Sequence, residues 1–84
     1  MSPGYDYVVE SAAIDFLAEL EPDELRFLLG SFEWLARKPN EPGILSHHDR
    51  AGRAVQAHFF GSYTIVAWTD HAVREVRIVE VIED

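Results

Sequence analysis

The pattern of apolar and polar positions divides the first half of the chain into a strand followed by two helices. Residues 5–10 are rich in β-favouring types and predict a first strand. From Ala12 onwards the apolar residues recur three and four positions apart, which predicts an amphipathic helix that ends near Leu20. The same spacing, begun by a proline that suits a first helical position, predicts a second helix from about Pro22 to Arg37. The chain therefore opens with a strand and a helical hairpin.

Three β-patterned runs, here called the meander, fill the second half of the chain at about 54–60, 63–69 and 73–82. The turns between them are so short that neighbouring runs must pair as antiparallel hairpins. The last run is apolar on both of its sides, as expected of a central strand, so the first strand is predicted to pair beside it. We predict one α+β domain over residues 1–84, in which a sheet of about four strands carries both helices on one face. The other face is then open to solvent, a partner or a second copy.

This open face is the expected place for function. Alternation puts Gln56, His58 and Phe60 on one side of the first meander strand, and this more polar side is predicted to be the open one. Before the meander, the 39–43 segment, with two prolines and a glycine, predicts a loop, and residues 46–50 predict a solvated polar stretch.

Composition and charge narrow the possible functions. The chain has 84 residues, a formal net charge of −8 and no cysteine, which excludes disulfides, thiolate metal sites and a cysteine nucleophile. No run approaches the ~18 apolar residues that span a bilayer, and no basic segment precedes an apolar run at the start, so we expect a cytoplasmic protein.

Residues 1–36 carry eight acids and one arginine, whereas residues 37–77 carry six cations, four acids and all four histidines. Any RNA would have to approach this second segment, where the cationic excess is small.

Three stretches carry the pattern of a known family: the opening YVVESAAIDFLAEL, the helix end WLARKP, and a Gly-x-Tyr turn at residues 61–63 that leads into TIVAW and REVRIVEVI. With this order of elements, the chain resembles the RelE/ParE toxin superfamily of bacterial type II toxin–antitoxin systems over nearly its whole length. The resemblance implies the fold predicted above and a cognate antitoxin as partner. For the ribonuclease branch of the family, it also implies ribosome-dependent cleavage of mRNA.

The chain departs from this family at the positions of the usual cations. The Gly-x-Tyr turn is usually followed by arginine, whereas Thr64 stands here. The ribonuclease branch adds lysine or arginine on the preceding strand, which reads AVQAHFF, and an arginine just after the last strand, where this chain has Ile82-Glu83-Asp84. If Thr64 takes the arginine position it faces the open side, and Val66 and Trp68 follow it by alternation. Such an apolar and aromatic surface is typical of protein binding.

Three functional hypotheses follow. The leading one is a toxin-like protein whose open sheet face and helical hairpin bind an antitoxin or another protein target, with weak or absent nuclease activity. Its predicted binding residues are Gln56, Phe60, Thr64, Trp68, Arg50 and Arg74. The second is a ribosome-dependent endoribonuclease in which His58, Arg53 and Arg77 replace the usual catalytic set. The third is a homodimer in which Trp68 and Phe60 of each copy cover one another.

Two further groups of residues invite other interpretations. His47, His48 and Asp49 suggest a metal site, but adjacent residues on an extended chain point in opposite directions and no third ligand follows at a defined spacing. We therefore expect no metal and no cofactor. Phe27 and Trp34 form a second apolar stripe on the second helix, which either contacts a partner or lies beneath the first helix.

Overall fold

The computed structural model describes residues 4–48 and 50–84. Within them the chain forms two α-helices and one sheet of five β-strands. In chain order the elements are β1 (Asp6–Val9), α1 (Ser11–Leu17), α2 (Pro22–Arg37), β2 (Leu45–His48), β3 (Ala54–Phe60), β4 (Tyr63–Asp70) and β5 (Glu75–Glu83). The sheet order is β1-β5-β4-β3-β2; β1 runs parallel to β5, and the other neighbours are antiparallel. The predicted α+β fold, the meander and the pairing of the first strand with the last are confirmed.

The described part of the chain has five strands rather than about four, because residues 45–48 form an edge strand whose side chains are exposed. Leu45 lies opposite Ala57 of β3, and the N–H of Ile44 donates to the carbonyl oxygen of Ala57 at 2.9 Å. Backbone hydrogen bonds hold this strand, and they do not require apolar side chains. Because the sequence of β2 is mostly polar, it lacks the apolar pattern from which a strand would be predicted.

The helices differ in how well the sequence pattern located their ends. Helix α2 has the predicted bounds. Helix α1 ends at Leu17 rather than near Leu20, because the chain tightens after it into bonds between residues three apart. The N–H groups of Glu19 and Leu20 donate to the carbonyl oxygens of Phe16 and Leu17 at 3.2 Å each.

The core lies between the helices and one face of the sheet. Its buried members are Ala13, Leu28, Phe32, Leu35, Tyr63, Ile65, Ala67, Val76, Ile78 and Val81. Phe32 is fully buried and packs its ring against that of Tyr7, with centroids 5.5 Å apart, which ties α2 to β1. We call this side of the sheet the helix-covered face and the opposite side the helix-free face.

A β-bulge in β5 changes which residues reach the core. Val66 lies opposite Glu80, but the next residue, Ala67, lies opposite Ile78, so Val79 is an extra residue in β5. As a result Ile78 and Val81 both reach the core although they are three positions apart. The apolar character of β5 on both sides thus follows partly from the bulge.

Candidate functional site

Strand β4 presents Thr64, Val66 and Trp68 to the helix-free face. The residues between them belong to the core, and successive side chains of a strand point to opposite sides. Near the end of β4 the Thr69 hydroxyl donates to the carbonyl oxygen of Pro39 at 3.2 Å, which directs Thr69 towards the end of α2 and Trp68 away from it. Thr64 and Trp68 therefore face the side predicted for them, while their role in binding stays a prediction.

The side chains of strand β3 point to the opposite faces of the sheet from those predicted. Gln56, His58 and Phe60 each lie directly opposite a core residue of β4. Directly paired residues of antiparallel strands share a face, so these three lie on the helix-covered side. Phe60 also packs edge-on against Trp34 of α2, with ring centroids 5.7 Å apart. The prediction that Gln56, His58 and Phe60 belong to the open face is wrong.

The polar side chains of β3 are partly covered by a loop. The 39–44 loop runs over this strand, and the N–H of Gly43 donates to the side-chain oxygen of Gln56. His58 is half-buried near the same loop. Polarity at these two positions therefore reflects a covering loop, and the apolar Val55 and Ala57 take the helix-free side.

Exposed apolar side chains from three strands share the helix-free face. Leu45 of β2, Phe59 of β3 and Ile82 of β5 are 60%, 54% and 42% exposed. Ala57 and Val66 lie buried between them, since Leu45 pairs with Ala57 and Ala57 pairs with Val66. We call these five residues the apolar patch. Large exposed apolar side chains that share one face are characteristic of protein interaction surfaces.

The three exposed members of this patch were missed as candidate site residues. A signal for Phe59 was present in the two-residue turn at 61–62, because such a turn pairs Phe60 with Tyr63. Phe59 must then share the side of Thr64, its partner across the hairpin. The exposure of Leu45 had no comparable signal, because its strand was not predicted.

Trp68 lies beside the patch and is covered by an arginine. The guanidinium of Arg53 lies 4.6 Å from the centroid of the Trp68 ring, which is a cation–π contact. Across the sheet, Trp68 is paired with Arg77 of β5. Within the described residues the indole nitrogen of Trp68 is buried and has no hydrogen-bond partner.

Arg77 is held by two carboxylates. Its Nε donates to Oε2 of Glu10 at 3.1 Å and its Nη1 donates to Oε1 of Glu75 at 2.9 Å. The hydrogen bond to Glu10 raises the pKa of Arg77 further above its ordinary value. Because two carboxylates balance its charge, Arg77 offers a phosphate little positive potential.

The predicted catalytic set is not brought together. Arg53 and Arg77 flank Trp68 on the helix-free face, whereas His58 lies on the helix-covered face. The two other predicted contact residues, Arg50 and Arg74, lie exposed in turns before β3 and before β5. Arg74 adopts φ 57° there, in the left-handed region that non-glycine residues rarely occupy.

His58 lines a cleft of about 160 Å³ between the end of α2, the 39–44 loop and strands β3 and β4. Burial lowers the pKa of His58 below its ordinary value of 6.5, and the nearby Glu41 carboxylate opposes this effect by raising it. The imidazole is therefore neutral near pH 7. It lies beneath the loop, on the far side of the sheet from the apolar patch.

The positions at which the resemblance to RelE/ParE toxins implies cations carry neutral or acidic groups. Thr64 Oγ1 donates to the two carboxylate oxygens of Asp84 at 3.3 and 3.2 Å. The chain end after Ile82 adds Glu83 on the same strand. Among the described residues, the ion pairs join Arg26 to Asp23 and Arg77 to Glu10 and Glu75, so none involves Glu83 or Asp84.

No group of three or more metal-binding side chains is present within residues 4–48 and 50–84. His47 and His48 lie opposite Val55 and Ala54, on different faces of β2, while Asp49 lies outside the described residues. In the described part of the chain no helix is both long and apolar enough to cross a membrane.

No protein-family model and no curated protein sequence matches the chain. Among solved structures, it is similar to the RelBE toxin–antitoxin complex of Mycobacterium tuberculosis, with 20% identity and a TM-score of 0.75 over 98% of this chain and all of the other. It is also similar to the RelE–RelB complex of Pyrococcus horikoshii, with 12% identity and a TM-score of 0.72 over 94% of this chain and 93% of the other. The RelBE complex of E. coli matches with 12% identity and a TM-score of 0.63 over 95% of this chain and 96% of the other. The protein therefore has the fold of RelE toxins.

Proposed function

We propose that the protein is a toxin-like member of the RelE/ParE superfamily that acts by binding a protein, either a cognate antitoxin or another target, with weak or absent nuclease activity. The observation that carries the proposal is the chemistry of the helix-free face. Where the family pattern has cations, this face has Phe59, a threonine bonded to Asp84, and Ile82.

In the described part of the chain, the helix-free face lacks the unpaired cations that would stabilise negative charge on the scissile phosphate during RNA cleavage. Stabilising charge on a scissile phosphate requires cations or hydrogen-bond donors aimed at its oxygens. Arg77 is balanced by Glu10 and Glu75, and Arg53 stacks on Trp68. His58, the proposed base, lies on the opposite face. We therefore favour protein binding over the nuclease hypothesis.

The apolar patch supports binding to a protein. Phe59 and Ile82 are large, exposed and close to the buried Val66, and aromatic side chains in such settings often contribute most of an interface's binding energy. The three similar structures are all toxin–antitoxin complexes, which supports an antitoxin as the first partner to test. The homodimer that uses Trp68 with Phe60 loses its basis, because these side chains lie on opposite faces.

Co-expression with the product of the adjacent gene, followed by affinity purification, tests the proposal. We expect a stable complex, and we expect Phe59→Asp to weaken it at least tenfold, because the variant places a charge in the apolar patch. Ile14→Asp is the matched control, since Ile14 is 51% exposed on α1, on the other side of the sheet.

A translating extract tests the nuclease component in parallel. We expect no mRNA cleavage by the purified protein. Cleavage that disappears in Arg77→Ala would contradict the proposal, as would the absence of any complex with the adjacent gene product.

A further inference from the structure

Acidic residues gather at one end of the sheet, around the turn between β3 and β4. This acidic end consists of Asp23, Glu24, Glu80, Glu83 and Asp84. The Tyr63 hydroxyl donates to Oε2 of Glu24 at 2.7 Å, which brings the start of α2 to this turn. The N–H of Asp84 donates to the carbonyl oxygen of Ser62 at 2.8 Å, which brings the chain end there as well.

Little positive charge offsets the acidic end. Arg26 is the nearby cation on α2, and it pairs with Asp23 at 3.5 Å while both side chains remain largely exposed. Tyr63 responds to the local negative potential: the hydrogen bond to Glu24, with contributions from burial and Glu83, raises its pKa to about 12. In the described residues Glu80 and Glu83 take part in no ion pair.

The acidic end and the apolar patch meet on the helix-free face. Thr64 lies between Phe59 and Ile82 in one cross-strand row and bonds to Asp84. In the next row Val66 lies opposite Glu80. Exposed apolar side chains are thus bordered directly by carboxylates, which favours an apolar partner that is also cationic.

The spacing of the apolar side chains suits a helix laid across the strands. Phe59 and Ile82 belong to β3 and β5, which are two strand spacings apart, or about 10 Å. Positions i and i+7 of an α-helix are separated by about 10.5 Å along its axis. A helix whose apolar residues recur at this interval can place one on each.

We propose that the helix-free face at the acidic end docks a cationic amphipathic helix of the partner protein. Its apolar residues contact Phe59 and Ile82, and its lysine or arginine residues lie against Glu80 and Asp84. The inference rests on the proposed function, because it specifies the chemistry of the partner that this face binds.

Other occupants fit the charge less well. A nucleic acid would bring phosphates against the carboxylates of this face, and an acidic peptide would bring further carboxylates, so both would be repelled. A second copy related by two-fold symmetry would bring two identical acidic surfaces together, because a two-fold interface uses the same patch on both subunits.

The probe is a fluorescent amphipathic peptide of about 18 residues, roughly five helical turns, built from leucine and lysine. The comparison peptide has glutamate at every lysine position. Anisotropy titrations with the full chain are expected to show binding of the lysine peptide alone. Raising NaCl from about 50 to about 300 mM is expected to weaken binding by roughly tenfold, because exposed charges are screened.

Charge-changing variants locate the site. Glu80→Lys is expected to weaken lysine-peptide binding at least fivefold, and Glu80→Gln is expected to weaken it less. Glu33→Lys is the matched control: it makes the same charge change at an exposed position on α2, and binding should stay within twofold of the unchanged protein. Circular dichroism melting verifies that each variant is folded.

Several outcomes would overturn the inference: equal binding of both peptides, equal effects of Glu80→Lys and Glu33→Lys, preferential binding of a single-stranded RNA oligonucleotide, or dimerisation that buries the face. If the adjacent gene product binds the Glu80→Lys protein as tightly as it binds the parent protein, the inference fails and the proposed function stands. If that product does not bind at all, the proposed function itself fails.

Discussion

Replacing Gly43 with alanine is expected to detach the 39–48 segment from the sheet. A Cβ at this position would lie 2.7 Å from Cβ of Gln56 and 2.8 Å from the backbone oxygen of Ala57. Non-bonded carbon atoms pack at about 3.5–4.0 Å, so both distances are too short. Ala57 is fixed by pairing with strands on both sides, and the loop therefore has to move.

The loss of stability can be estimated from the hydrogen bonds that this movement of the loop breaks. The Gly43 N–H bond to Gln56 and the 2.9 Å bond from Ile44 to Ala57 are lost, at about 1 kcal/mol each. Overpacking that remains adds roughly 1–3 kcal/mol. We expect the free energy of unfolding to fall by about 3–5 kcal/mol. This is a large share of the roughly 4–13 kcal/mol typical of a domain of 84 residues.

Urea unfolding measures this loss, and amide hydrogen exchange locates it in β2. Gly30→Ala is the control, because nothing lies within 4 Å of a Cβ at that position in α2. That variant should gain about 0.5–1 kcal/mol, since alanine favours the helix over glycine. A Gly43→Ala protein within about 0.5 kcal/mol of the parent, with unchanged exchange in β2, would refute the reasoning.

Two further predictions concern titrating groups. The pKa of Tyr63 is raised from 10.0 to about 12, so the folded state holds the phenol proton more tightly than the unfolded state. This stabilisation is complete below pH 10 and is lost as the pH rises through 12. In urea unfolding, Tyr63→Phe should therefore lose less stability than the parent protein over this alkaline range. An equal loss in both proteins would show that Tyr63 is not the group that titrates. Burial lowers the pKa of His58 below 6.5, so the unfolded state binds this proton more tightly than the folded state does. The free energy of unfolding should therefore decrease as the pH falls below 6.5. Glu41→Gln should lower the pKa of His58 further, and an NMR titration midpoint at or above 6.5 in the parent protein would show that His58 is not desolvated.

Strand β3 shows where sequence reasoning fails. Its sequence, AVQAHFF, carries apolar residues on both sides, and the more polar side was assigned to solvent. The 39–44 loop instead covers that side, and its Gly43 N–H donates a hydrogen bond to the side-chain oxygen of Gln56. Polarity alone does not distinguish a side chain that meets water from one that meets a loop. The two-residue turn at 61–62 carried better information, because its pairing geometry depends only on local backbone structure.

The 45–48 strand shows a second limit. Its four residues, LSHH, are all exposed and make their stabilising contacts through the backbone. Such contacts leave no hydrophobic pattern, so an edge strand of this kind appears only when its partner strand is in place. The bulge at Val79 escaped prediction for the same reason, since it is defined by the register between two strands.

The sequence by itself determined the order of elements, the bounds of α2, the meander and the absence of lysine and arginine from position 64, from residues 54–60 and from residues 82–84. These features depend on local periodicity, on turn length and on residue identity, all of which act over a few neighbouring positions. Only the tertiary structure decided that Leu45 joins the apolar patch, that His58 lies apart from Arg53 and Arg77, and that carboxylates border the patch. Those facts depend on strand register and on which loop covers which strand, and both are set by contacts between residues far apart in the chain.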